Sequence, residues 1–280
     1  MSDIKQCFTS RFDEGLILEC DFSQLEVVGL AALSGDPVLI EDLLSGRDMH
    51  RFFASQKYGI PEEEVTSSQR KLIKKMTFAL QYGSGAKSLE AKNGLKKGEG
   101  QDFIDTYYAR YFRVKEWQQE VFEEVKRSRV PTAELTKAGY PKGKGEYVSL
   151  TGRRYTFFEK DKPAGWRGED LSPDFNPPEI KNYPIQGFAT GDLMALYRAR
   201  VYRRWTQDPR RNKWLPINTV HDSVMFDCLN LETALATKSV LEHLASNLQN
   251  EVEDLWGIVC PVPFKVETKA GPNWASTEKI

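Results

Sequence analysis

Arg70-Lys71-Leu72-Ile73-Lys74-Lys75-Met76-Thr77-Phe78-Ala79-Leu80-Gln81-Tyr82-Gly83 sets Arg70, Lys74, Phe78 and Tyr82 four residues apart and closes on a glycine. On an α-helix, side chains four apart stack on nearly one face. That face offers two cations and then two rings along roughly 18 Å of helix. Two cations suit a triphosphate, and two rings suit a sugar and a base. Thr66-x-x-Gln69 has the form of a capping box, and Gly83 tolerates the left-handed turn that ends a helix, so a helix is expected over 67–81. The spacing alone equally describes an amphipathic helix with a solvated basic end. Its meaning depends on what accompanies it.

Two acidic stretches accompany it. Leu16-Ile17-Leu18-Glu19-Cys20-Asp21-Phe22-Ser23-Gln24-Leu25-Glu26 opens with an apolar run that reads as a strand and ends at Asp21. Ile217-Asn218-Thr219-Val220-His221-Asp222-Ser223-Val224-Met225-Phe226-Asp227 reads as a hairpin with Asp222 at its tip. Alone, each aspartate is an ordinary turn or cap residue. Together, two carboxylates at strand ends can hold a pair of divalent metals about 4 Å apart. Such a pair activates a primer 3′-hydroxyl and stabilises leaving pyrophosphate, and a cationic helix neutralises the triphosphate. Mg²⁺ fits, because it takes few carboxylates and completes its shell with substrate oxygens.

These three stretches resemble motifs of the family A DNA polymerases. Asp21 to Glu26 resembles motif A, Arg70 to Gly83 motif B, and His221-Asp222-Ser223 motif C, in matching order and separation. Further matches are Asp48-Met49-His50, the Phe103–Val114 stretch with Tyr107, Tyr108, Arg110 and Tyr111, Thr151-Gly152-Arg153-Arg154, Asn182 to Gly187, and the tail from Phe264 to Trp274. The resemblance implies an α+β fold. It would comprise a right-hand palm with a small antiparallel sheet and a largely helical fingers subdomain. Residues 1–35 would form the first part of the palm, 36–180 the fingers, and 181–280 the second part of the palm.

Roles follow from the same resemblance. Asp21 and Asp222, with the backbone carbonyl of Phe22, would hold two Mg²⁺ ions, for which Mn²⁺ could substitute. Lys74 would bind the triphosphate and protonate the leaving pyrophosphate. Arg70 and His50 would contact the β and γ phosphates, and Gln24 would lie near the nucleotide. Glu26 would be the steric gate against a 2′-hydroxyl, Phe78 would pack at the sugar, and Tyr82 would stack at the templating position. Arg154, Asn182 and Gln186 would contact the primer-template duplex, and His221 the primer terminus.

Two positions depart from the family pattern. Ser223 stands where motif C usually carries glutamate, and Val28 where many bacterial members carry arginine. His-Asp-Ser is typical of single-subunit phage-type RNA polymerases, the main rival reading. Glu26 and Phe78 favour DNA synthesis instead. An inactive replisome subunit has no reason to keep Asp21, Asp222 and Lys74. A nuclease reading leaves the Arg70–Gly83 helix unexplained.

The chain has 280 residues, 40% of them hydrophobic and 28% charged, enough for one or two compact domains. No long apolar span or signal-like start is visible, so a cytoplasmic protein with no membrane association is expected, in the host cell if viral. Cys7, Cys20, Cys228 and Cys260 are scattered, which suggests reduced thiols. The net charge is −1, yet Lys71, Lys74, Lys75, Lys87, Lys92, Lys96 and Lys97 cluster, as do Lys142, Lys144, Arg153 and Arg154. Local basic clusters can bind phosphates regardless of the total. The expected partners are primer-template DNA, dNTPs and a separate chain supplying the thumb and 3′–5′ exonuclease, since only twenty residues precede Asp21. A split enzyme of phage type and a fragment of a longer one both remain open.

Beyond 67–81, helices are expected near 25–33, 36–45, 48–58, 84–94, 100–111, 114–129, 186–205 and 231–254. Strands are expected over 14–21 and 263–268, with hairpins around 147–158 and around His221-Asp222. The rest of 137–180, rich in glycine and proline, reads as loops.

Overall fold

The computed structural model describes residues 3–162 and 170–280. The chain divides into two compact units, one formed by Met1–Gly29 with Gly187–Ile280 and the other by Leu30–Gln186.

The first unit is organised by strand β1, Leu16–Phe22. Side chains alternate along a strand, so Ile17, Glu19 and Asp21 share one face and Leu18, Cys20 and Phe22 the other. The second set is buried. It packs on Tyr197, whose ring lies 4.8 Å from Phe22 and whose hydroxyl lies 3.7 Å from Cys20 Sγ. Burying a large apolar side chain contributes about 1.5–3 kcal/mol, so this face anchors the sheet. Tyr197 sits on the helix Met194–Gln207 and donates to the Leu241 carbonyl of the helix Leu231–Trp256 at 3.2 Å. Asn230 caps that last helix by accepting from the Thr233 amide.

Strand β1 lies at the centre of a five-stranded antiparallel sheet, order β10-β9-β1-β8-β7. Its neighbours are β8, Ser223–Cys228, and β9, Val266–Gly271; β7, Trp214–Val220, and β10, Glu278–Lys279, form the edges. All six residues of β8 are buried, as expected of a strand covered on both faces. Asp21 is in register with Ser223 on one side and Glu267 on the other. Strand β1 therefore delivers Asp21 beside the turn that joins β7 to β8.

The second unit is mostly helical. Helix α1, Leu25–Ser34, enters it, followed by α2 (Pro37–Ser45), α3 (Met49–Tyr58), α4 (Ser67–Gln81), α5 (Ala86–Asn93), α6 (Glu99–Arg110) and α7 (Phe112–Arg127). Buried Asp36 joins two of their ends. One carboxylate oxygen accepts from the Val38 and Leu39 amides of α2, and the other from the Arg113 and Val114 amides of α7. A carboxylate is favourable at a helix N-terminus, and here one charge serves two. Phe53, Tyr107 and Tyr111 stack in the core, with Tyr107 5.3 Å from Phe53 and 5.0 Å from Tyr111. Beyond α7 comes a three-stranded sheet of β2 (Val130–Leu135), β3 (Pro141–Val148) and β4 (Arg154–Phe158), then the pair β5 (Lys160–Asp161) and β6 (Pro173–Asp174).

The α+β class holds, and most expected helices are present. Helix α4 spans 67–81 with its capping box formed: the Thr66 amide donates to Gln69 Oε1 at 2.8 Å, and the Gln69 amide donates to Thr66 Oγ1. Three expectations need correction. A helix expected from about 186 begins at Pro177, because two prolines fit a first helical turn that has no amide to donate. It passes into a π-helical stretch at Gly187–Leu193 before continuing from Met194. Strand β2 lies over 130–135, where no element was expected, β3 already begins at Pro141 within the segment read as loop, and the last long strand begins at Val266 rather than 263. The loop expectation also covered residues 163–169, which lie outside the described residues.

Candidate active site

Each unit assembles part of the expected site. In the first, the β7–β8 hairpin turns on two residues, His221 and Asp222, since Val220 pairs with Ser223. His221 takes φ 51°, and Gln24, just past Asp21, takes φ 56°; they are the two non-glycine residues with positive φ among the described residues. Left-handed backbone costs a non-glycine residue about 1–2 kcal/mol. His221 adjoins Asp222, and Gln24 lies between Asp21 and Glu26, so both strained positions fall within the expected site, as is common where geometry serves function. The two segments are tied together by the Phe22 amide, which donates to the Asp222 carbonyl at 3.2 Å, while the Ser23 amide ties the first of them to Lys265, just before β9. Ser223 Oγ donates back to the Val220 carbonyl at 2.9 Å, closing the turn.

The electrostatics of this corner are acidic. Burial, then the charge of Asp222, then Glu19, push the Asp21 carboxyl up to about 6, with Lys269 opposing. Among the described residues, neither Asp21 nor Asp222 has a side-chain hydrogen bond or an ion pair. Neighbouring Glu19 is held by the Trp274 indole N–H at 3.0 Å. No group of three or more His, Cys, Asp or Glu residues able to hold a metal exists among the described residues. The donor set is thus two unpaired carboxylates and nearby backbone carbonyls. That chemistry fits Mg²⁺, which binds through one or two carboxylates and keeps its other positions for water and phosphate.

In the second unit, α4 presents the expected row. Arg70 and Phe78 are half-buried, Lys74 is exposed, and Lys74 Nζ stands 5.7 Å from the Phe78 ring centre. Tyr82 caps the helix C-terminus and is half-buried. Gly83 follows at φ 76°, where a Cβ would lie 2.4 Å from Pro178 Cα. Helix α3 adds two groups to the row. Its N-cap Asp48 accepts from Arg70 Nε at 2.5 Å and from the Arg51 amide at 3.0 Å. Burial works to raise the Asp48 carboxyl, and these bonds more than reverse it, leaving it below its ordinary value. His50 lies with its ring 6.0 Å from Phe78. It is buried, and its Nδ1 has no hydrogen-bond partner. Burial, then Arg70, lower its pKa to about 4, so the ring is neutral at pH 7.

The other expected residues are more scattered. Gln24 is exposed and precedes α1, and half-buried Glu26 lies in its first turn. Arg154 begins β4 and pairs with Glu146. Asn182 lies on the helix Pro177–Gln186 with its Oδ1 buried and unpartnered, and half-buried Gln186 ends that helix. His221 is exposed at its turn. Two contributors went unnoticed as site residues. Asp48 was legible as an N-cap before α3. Arg198, whose Nη2 donates to the His221 carbonyl at 2.7 Å, had no sequence signal beyond being a basic residue on a helix.

The family model for DNA polymerase family A matches residues 1–276. The chain belongs to DNA polymerase family A. Similar proteins include a DNA polymerase of Bacillus phage SP01, 29% identical over 97% of this chain and 27% of its own length. The thermostable DNA polymerase I of Thermus aquaticus is 28% identical over 95% of this chain and 28% of its own. The DNA polymerase I of Mycobacterium tuberculosis is 33% identical over 92% and 25%. The chain thus spans about a quarter of the length of these curated relatives. Among solved structures, the polymerase domain of Pol1 from M. smegmatis, in complex with DNA primer-template and dNTP, matches with a TM-score of 0.66. That likeness covers 98% of this chain and 42% of the other at 22% identity, which speaks to fold alone.

Proposed function

We propose that this chain is the palm-and-fingers catalytic unit of a DNA-directed DNA polymerase, adding dNTPs to a primer 3′-hydroxyl. In this reading the first unit is palm and the second fingers. The observation that carries it is the pair of Asp21 and Asp222, tied together by the Phe22-to-Asp222 backbone bond and without an ion pair to either among the described residues. A carboxylate whose pKa is raised by burial and by a neighbouring acid is poised for a cation.

Asp21, Asp222 and the Phe22 carbonyl would hold divalent magnesium. Bound there, magnesium would supply activation of the 3′-hydroxyl and charge neutralisation at the transferring phosphoryl group. Arg70 and Lys74 supply N–H donors to the triphosphate, and Lys74 protonates the departing pyrophosphate. Asp48 holds the Arg70 guanidinium in place before the nucleotide arrives. Neutral His50 donates to a phosphate oxygen, and the anion raises its pKa on binding. Glu26 closes over the sugar against a 2′-hydroxyl, with Gln24 beside the nucleotide. Phe78 packs at the sugar and Tyr82 at the templating base. Arg154, Asn182, Gln186 and His221 hold primer-template DNA.

Primer extension on a DNA template with Mg²⁺, comparing dNTPs with NTPs, tests this directly. Extension with dNTPs is expected, and Asp21→Ala or Asp222→Ala should lower its rate by about 10³-fold or more, as loss of several kcal/mol of charge stabilisation requires. Wild-type rates in either variant would defeat the assignment of the acids. A preference for NTPs would favour RNA synthesis.

A further inference from the structure

We propose that Arg198 is a positioning residue that holds the turn carrying Asp222 in its metal-binding shape. The inference rests on the polymerase reading and extends it to a residue outside the expected site.

Asp222 sits in a two-residue turn whose first residue, His221, is left-handed at φ 51°. When positive φ falls on the first of two turn residues alone, hairpins favour glycine there. Histidine at that position needs support from outside the turn. Arg198 provides it from the helix Met194–Gln207, where Nη2 donates to the His221 carbonyl at 2.7 Å. A charge-assisted bond to a carbonyl is both short and directional. The next carbonyl, that of Asp222, accepts from Phe22, the neighbour of Asp21. One peptide plane therefore separates the carbonyl held by Arg198 from the one that ties the two acids together.

The base of the guanidinium is enclosed by the protein. Arg198 Nε is buried and has no hydrogen-bond partner. Its helix is anchored one residue earlier by Tyr197, which is fully buried between Phe22 and Leu241. The same helix thus packs on β1 through Tyr197 and pins the β7–β8 turn through Arg198. Both acidic segments take their placement from it. The positive charge also stands beside a turn with two unpaired carboxylates nearby, without forming an ion pair to either. It can fix the backbone while leaving both acids open to a cation.

The test uses the full chain with Arg198→Met, which removes donor and charge at similar bulk, and Arg198→Gln, which keeps a neutral N–H donor. Mn²⁺ binding is measured by electron paramagnetic resonance, and Mg²⁺-dependent primer extension in parallel. Arg198→Met is expected to weaken Mn²⁺ binding about tenfold, lower kcat and leave KM for dNTP unchanged, because the nucleotide-binding row lies on α4 and α3. Arg198→Gln should recover part of the metal affinity. A merely structural role would lower the melting temperature, raise KM with the fall in kcat, and show no recovery with Gln. If Arg198→Met loses its fold, Arg198→Gln decides. Wild-type metal affinity and kcat in a folded Arg198→Met, or an Arg198→Gln no better than a damaged Arg198→Met, would overturn the inference. Wild-type protein that neither binds Mn²⁺ nor extends primers would instead remove the reading beneath it.

Discussion

Asp21 is the residue whose chemistry depends most on its surroundings. Its ordinary value is 3.8, and burial with the Asp222 charge lifts it to about 6. The folded protein therefore keeps a proton on Asp21 at pH values where the unfolded chain has released it. Stability contributed at low pH is lost as pH rises from about 4 through 6, and the charged pair opposes folding above that. A bound cation reverses this sign. Two outcomes follow at this scale. In metal-free buffer at pH 7.5, Asp222→Asn should raise the melting temperature by about 1–3 °C, a modest gain because Asp21 is half-open to solvent. The gain should shrink near pH 4.5, where Asp21 already carries its proton. In the wild type, Mg²⁺ should raise the melting temperature more at pH 7.5 than at pH 5.5, since the metal competes with that proton. Thermal melts at pH 7.5, 5.5 and 4.5 check both, and a lower melting temperature for Asp222→Asn at pH 7.5 would contradict repulsion between the acids.

At the scale of elements, the junction after α4 is the most tightly constrained. Gly83 combines φ 76° with a backbone approach that leaves a Cβ only 2.4 Å from Pro178 Cα. Gly83→Ala meets both costs and should destabilise the second unit by about 3 kcal/mol, measured by urea denaturation followed by helical circular dichroism. Gly59→Ala, at φ 63° with open space around it, should cost about 1–2 kcal/mol, which separates the backbone cost from the clash. Legibility in the sequence divided along the same line between local and distant causes. The ends of α4 were readable because Thr66, Gln69 and Gly83 act within one turn of themselves. The row Arg70, Lys74, Phe78 was readable because helical spacing is local too. The helix beginning at Pro177 was not, because prolines that open a helix look like prolines that break one. Strand β2 was hidden by Pro131 and by having most of its residues exposed at a sheet edge. Neither the bond from Arg198 to the β7–β8 turn nor that from Asp48 to Arg70 could be read, since each joins residues far apart in sequence. Asp36 and Asp42 belong to the same class. Each looks like an ordinary turn or helix acid, yet Asp36 caps two helices and Asp42 receives Arg110 and the Tyr111 hydroxyl.

At the scale of the whole molecule, the chain leaves the first unit after Gly29 and returns at Gly187. The second unit is one continuous segment with its own aromatic core. With a net charge of only −1, the phosphate recognition proposed above would rest on where the basic clusters are placed rather than on total charge. Among the described residues, no helix is long and apolar enough to cross a membrane.

The central position of β1 has a consequence for how the protein is made. Leu16–Phe22 leaves the ribosome well before both of its partner strands, Ser223–Cys228 and Val266–Gly271. At roughly 5–20 residues per second, this apolar segment waits about 10–40 s for its first partner. Throughout that interval the intervening segment can already fold, while the strand that bears Asp21 stays a client for chaperones and proteases. Nascent chains stalled before Ser223 should show Leu16–Phe22 cut readily by protease, and released full-length chains should show it protected.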